Sequence, residues 1–127
     1  MAGSKGSKYY NIFLDYQITL EHKEQGNLLD EYCFKLIKKI QETGSLKAAA
    51  DELEVSYRKA WGNVEEIEKG LGFKLLERQR GGASGGKTSL TPDGEKLIAA
   101  HEELRTEFNT AIRMITKKFF NTLNTDE

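Results

Sequence analysis

Cysteine, histidine and proline are scarce in this chain, and it has no long apolar run. The lone cysteine, Cys33, excludes an internal disulfide and fits a reducing compartment. It sits among Tyr32, Phe34 and Leu36, which reads as a buried structural thiol. A nucleophilic cysteine needs an activating base, and no motif supplies one. The two histidines, His22 and His101, are far apart and have no second ligand at metal spacing, so no metal is expected. No apolar stretch approaches the ~20 residues of a membrane helix. The opening MAGSKGSK is small and polar and lacks the apolar segment of a signal peptide. A cytoplasmic protein with a disordered tail over residues 1–8 is therefore expected.

An enzyme is not expected either, and no cofactor. The glycine run RGGASGGK ends in GGKT but lacks the GxxxxGK(S/T) spacing of a phosphate loop. Such a loop must also open a helix, whereas Pro92 places the next helix start beyond Thr88. At 127 residues the chain fits one domain of modest core. Its 38% hydrophobic and 31% charged residues fit a globular protein.

The net charge of −1 hides a pattern. Residues 56–91 carry seven basic and four acidic side chains, whereas each flanking third is net −2. Phosphate binding needs a local positive face, whatever the total charge.

Tyr10, Ile12, Leu14, Tyr16, Ile18 and Leu20 alternate with mostly polar residues, which predicts a β-strand with one apolar face. Such a strand must pair with something, either a dimer partner or a hairpin. The stretch from His22 to Gly26 reads as a polar turn. Asn27, with Asp30 three residues on, is a candidate cap for a first helix over about 28–43, stopped by Gly44. Ser45 offers the next cap, for a short helix with a small-residue face at Ala48, Ala49 and Ala50. Glu54 and Val55 form a turn, and Ser56 caps a third helix. Its apolar stripe is Ala60, Trp61, Val64, Ile67 and Leu71, with Glu68 as one polar member. Trp61 reads as a core anchor. FKLLERQ and TSL then read as two strands flanking the glycine loop, a hairpin with a basic tip. Thr91-Pro92 opens a last helix, in which Leu97, His101, Leu104, Phe108, Ile112, Ile115, Phe119 and Leu123 form one stripe. A stripe that outruns its own domain belongs to a partner chain. Leu97, Leu104, Phe108, Ile112, Ile115 and Phe119 are the candidate dimerisation residues.

Helix, helix, short turn, helix, hairpin is the order of a winged helix-turn-helix. The major groove admits one α-helix whose outer face projects donors while its back packs on the others. The third helix has Tyr57, Arg58, Lys59 and Asn63 at or near its N-terminal end. Arginine reads guanine bidentately and asparagine reads adenine. Arg78, Arg80 and Lys87 flank the glycine loop, placed to follow phosphates. Ser45, Ser56 and Thr88 complete the candidate DNA-contacting set. Glu65, Glu66 and Glu68 oppose a DNA-facing role for their side of the helix.

Over about residues 28–100 the chain resembles the DNA-binding domain of the ModE family of bacterial molybdate-responsive regulators, and more broadly the LysR-type helix-turn-helix. TGSLKAAA, the LG before KLLER, and LTPDGEKL are the LysR-like cues. SYRKAW and ERQRGGASGGKTSLT are the ModE-like ones. The resemblance implies a dimer held by the N-terminal strand region and long helices. It implies that Ser56, Tyr57, Arg58 and Lys59 face the major groove and that Arg80 and Lys87 sit on the wing. ModE-type proteins continue into a molybdate-binding module. This chain stops at Glu127, so no molybdate site is expected.

The expectation is a mainly α, α+β winged-helix homodimer that binds a pseudo-palindromic operator in double-stranded DNA and regulates transcription. Residues 9–91 would form the winged domain with its N-terminal strand, and 92–127 the dimerisation helix. The rivals are a winged helix used for protein–protein contact and an architectural DNA-binding protein. The basic wing argues against the first.

Overall fold

A computed structural model describes residues 6–79 and 86–125. The fold is α+β and mainly α. Its elements run β1 (Leu20–His22), β2 (Gly26–Leu29), α1 (Glu31–Thr43), α2 (Leu46–Glu52), α3 (Tyr57–Leu71), β3 (Leu76–Gln79), β4 (Lys87–Leu90) and α4 (Pro92–Leu123). They fall into two compact units. One is Ile18–His101, and the other joins the N-terminal segment up to Gln17 to α4 from Glu102 onward.

The predicted strand over 10–20 does not form; β1 starts only at Leu20 and pairs antiparallel with β2. The Tyr10 and Ile12 amides donate back to the Ser7 and Tyr9 carbonyls, so the segment turns on itself there. Tyr9 and Tyr16 pack on α4 instead of lining a ladder, whereas Tyr10 and Phe13 stay exposed. Tyr16 stacks on Phe108 at 5.7 Å, and Tyr9 meets Phe120 at 6.1 Å. Alternation reports a half-covered segment, and for Tyr16 the cover is α4.

The first helix begins three residues later than expected. Leu28 and Leu29 belong to β2, and Asn27 lies opposite Glu21 in the hairpin. Asp30 is the cap, its carboxylate accepting from the Cys33 amide at 2.9 Å. Gly44 ends the helix at φ 71°, a left-handed conformation that glycine adopts without a side-chain clash. Ser45 and Ser56 cap α2 and α3 as expected, each hydroxyl accepting from the amide three residues on at 3.0 Å. Between those helices Glu54 takes a left-handed turn.

The core of the first unit lies among α1, α2, α3 and the hairpin β3–β4. Ala49, Ala50 and Ala60 are fully buried, and so are Leu36, Ile37, Ile40 and Val64. Alanine at the contacts lets the short α2 approach its neighbours closely. Glu68, the polar member of the α3 stripe, is buried and satisfied: one carboxylate oxygen accepts from the Leu75 and Leu76 amides at 2.7 and 3.0 Å. It thereby fixes where β3 starts. Thr91 does the same for α4, accepting from the Gly94 amide and donating to the Lys74 carbonyl.

The first turns of α4 pack on this core. Ile98 is buried, Leu97 is half-buried against it, and His101 stacks on Phe34 at 3.7 Å. Leu97 is therefore not part of an uncovered stripe, because its own unit covers it. In the second unit Thr116 and Phe120 are buried, whereas Leu104, Phe108, Ile115 and Phe119 remain exposed.

Candidate nucleic-acid interface

The N-terminal turn of α3 offers a surface for an anion. Ser56 caps it, Tyr57, Arg58 and Lys59 follow as exposed residues, and no acidic residue lies in that turn. The helix N-terminus adds its own partial positive charge. Behind this face Ala60, Val64 and Ile67 hold α3 on the core. Lys59 keeps its ammonium 5.6 Å from the Tyr32 ring centre.

Arg78 comes to the same place from the hairpin. Strand β3 pairs with β4 in register, Arg78 opposite Thr88 and Gln79 opposite Lys87. The Arg78 guanidinium lies 4.4 Å from the Trp61 ring centre and 6.0 Å from that of Tyr57, and it donates to the Tyr57 hydroxyl. Trp61 is thus both a core anchor and a platform: half-buried against the core, it also carries Arg78. Nothing in the local sequence signals the Arg78–Tyr57 hydrogen bond, which joins residues 21 positions apart.

The other candidates divide. Lys87 is exposed at the start of β4. Thr88 is buried, and its amide donates to the Gly44 carbonyl at 3.0 Å, so its side chain faces the core and not the surface. The signal was there: Thr88 and Leu90 share one face of a strand of period two. Asn63 is half-buried, and its side-chain carbonyl accepts from the Tyr32 hydroxyl at 2.9 Å, which orients its amide group. Ser45 and Ser56 accept backbone amides as caps, which holds their hydroxyls at the helix starts. Glu65 and Glu66 are exposed further along α3. Arg80 lies outside the described residues. Among the described residues there is no cluster that could hold a metal ion, and no helix is long and apolar enough to cross a membrane.

Residues 34–95 match the family described as bacterial regulatory helix-turn-helix protein, LysR family. The chain is 38% identical over 81 residues to the transcriptional regulator ModE of Haemophilus influenzae, covering 64% of this chain and 32% of that protein. It is 35% identical over 111 residues to ModE of Yersinia pestis, covering 87% and 39%. The chain thus spans 32–39% of the length of these relatives. Among solved structures it is similar to the CbnR DNA-binding domain, crystallised with DNA, at TM-score 0.52 and 27% identity, covering 67% of this chain and 93% of that one. This is a family of transcriptional regulators and not of enzymes. The chain carries a LysR-family helix-turn-helix domain, with ModE proteins among its relatives.

Proposed function

We propose that this chain is a sequence-specific transcriptional regulator of the ModE and LysR kind. It binds a pseudo-palindromic operator as a homodimer, on chromosomal DNA in the cytoplasm. The observation that carries this reading is the exposed, acid-free first turn of α3, with Tyr57, Arg58 and Lys59 beside Arg78 of β3. Helix α3 enters the major groove, and β3–β4 lies along the backbone as the wing. The relatives named as regulators, and the related domain crystallised with DNA, support it. Residues 9–91 would be the DNA-binding part and 92–127 the dimerisation helix.

The test separates reading from anchoring. Arg58 projects from the turn that meets base edges, whereas Lys87 stands at the edge of the wing. Losing a base contact costs roughly 1–3 kcal/mol and relaxes preference at one position of each half-site. Losing a phosphate contact weakens all sequences alike and lowers the salt slope by roughly one counterion. Arg58→Ala should therefore reduce the ratio of specific to random-site affinity. Lys87→Ala should keep that ratio and flatten the salt dependence. Binding titrations on selected and random duplexes at several salt concentrations decide it. The reverse pattern would show that helix and wing roles are exchanged.

A further inference from the structure

Arg78 and Tyr57 fix each other's chemistry. A guanidinium has donors only, so in their hydrogen bond the Tyr57 oxygen must accept. A phenol has a single hydrogen to give, and with Arg78 on the oxygen that hydrogen must point elsewhere. Among the described residues no acceptor takes it, and Tyr57 is 42% exposed at the first position of α3. Arg78 in turn is held by the Trp61 ring at 4.4 Å, and Trp61 rests on the core. The chain from core to Trp61 to Arg78 to Tyr57 therefore presents one oriented O–H at the start of the groove-facing helix.

We propose that Tyr57 is a specificity-determining hydrogen-bond donor to a base-edge acceptor in the major groove, and that Arg78 is a positioning residue acting through it, not a DNA contact. This rests on the DNA-binding reading above. The acceptors that fit are guanine O6 and N7, adenine N7 and thymine O4. The first residues of a groove-facing helix are the ones that reach such edges. The arrangement also gives Arg78, which looks like a phosphate anchor by its place on the wing, a different task from Lys87.

The probes are a duplex selected by the wild-type protein from a randomised pool and an unselected duplex of the same length. Tyr57→Phe keeps the ring and removes only the hydroxyl. It should weaken binding to the selected duplex about tenfold and leave the unselected one nearly unchanged. Arg78→Ala should cause a similar loss on the selected duplex with the salt slope intact. The double variant should bind no worse than either single one, since both remove one device. Trp61 is the only tryptophan, so its emission reads the Arg78 stack without DNA. Arg78→Ala should shift that emission in the free protein. Equal losses on both duplexes for Tyr57→Phe would make the hydroxyl a phosphate contact and overturn its specificity role. Additive losses with a salt slope lowered by about one would make Arg78 a phosphate contact and overturn its positioning role. Unchanged emission in Arg78→Ala would show that the stack is absent and overturn the inference independently of DNA. A pool from which wild-type protein enriches nothing would instead sink the DNA-binding reading itself.

Discussion

Cys33 and Asp30, joined by one cap, are shifted in opposite directions by different causes. The Cys33 amide donates to the Asp30 carboxylate and holds its pKa below the ordinary 3.8. Burial pushes the Cys33 thiol the other way, from 9.0 up to about 11. Burial also raises Tyr32 above its ordinary 10.0. The signs then follow. The Asp30 contribution is present above the unfolded carboxylate pKa and fades as pH falls through the lower folded value. The Cys33 contribution is intact below about pH 9 and is lost as pH rises toward 11, because only the unfolded chain ionises in that window. Each pH unit within it costs about 1.4 kcal/mol at most. Urea unfolding of wild-type protein between pH 8.5 and 10.5 (~2 units,) should show a falling midpoint, and Cys33→Ala should flatten that fall. A wild-type midpoint that stays level would show that the thiol ionises as readily folded as unfolded. The thiol should also resist iodoacetamide at neutral pH until denaturant is added, since the thiolate is the nucleophile.

At the scale of elements, two glycines with opposite surroundings make a paired test. A Cβ on Gly94 would lie 2.4 Å from the Leu75 carbonyl oxygen, a backbone atom held in the β3 region. Only a shift of α4 or of the strand could relieve it. Gly62, in the interior of α3, has nothing within 4 Å of the same position. Gly94→Ala should cost roughly 1–3 kcal/mol, as overpacking does. Gly62→Ala should stabilise by about 0.5–1 kcal/mol through helix propensity. Chemical unfolding of both variants checks this, and equal effects of one sign would mean that close approach does not decide these positions. Capping was legible because it is local chemistry: a hydroxyl at Ser45 or Ser56 finds an amide three residues away whatever the rest of the chain does. The winged order followed from those punctuation marks. Long-range choices were not legible. Asn27 lost the α1 cap to Asp30 because Leu29 is drawn fully into the core through β2. At the candidate site Tyr57, Arg58 and Lys59 could be read from their place after a cap. The Arg78–Trp61 stack and the Tyr32 hold on Asn63 depend on which strand and helix faces meet.

At the scale of the whole molecule, the distal half of α4 leaves apolar side chains in water. Leu104, Phe108, Ile115 and Phe119 lie on one helix face at spacings of three to four residues or their multiples, and Ile115 is 54% exposed. A second copy of the chain would remove them from water, and that is the surface on which the proposed homodimer rests. Phe108 already stacks with Tyr16, and Ile112 is half-buried. A charge at either would disturb the chain's own packing as well as an interface. Ile115→Lys is the cleaner test, because an unpaired ammonium in an apolar seam costs several kcal/mol, whereas in an exposed helix it costs little (about 0.5 kcal/mol,). Wild-type protein should sediment as a dimer at micromolar concentration, and Ile115→Lys as a monomer with unchanged helical circular dichroism. The consequence reaches DNA. Two linked half-site contacts gain roughly 10²–10⁴ in avidity over one, so the variant should lose operator affinity by a factor in that range while keeping its preference for a single half-site. A monomeric wild type, or a variant that still sediments as a dimer, would place the interface elsewhere or remove it.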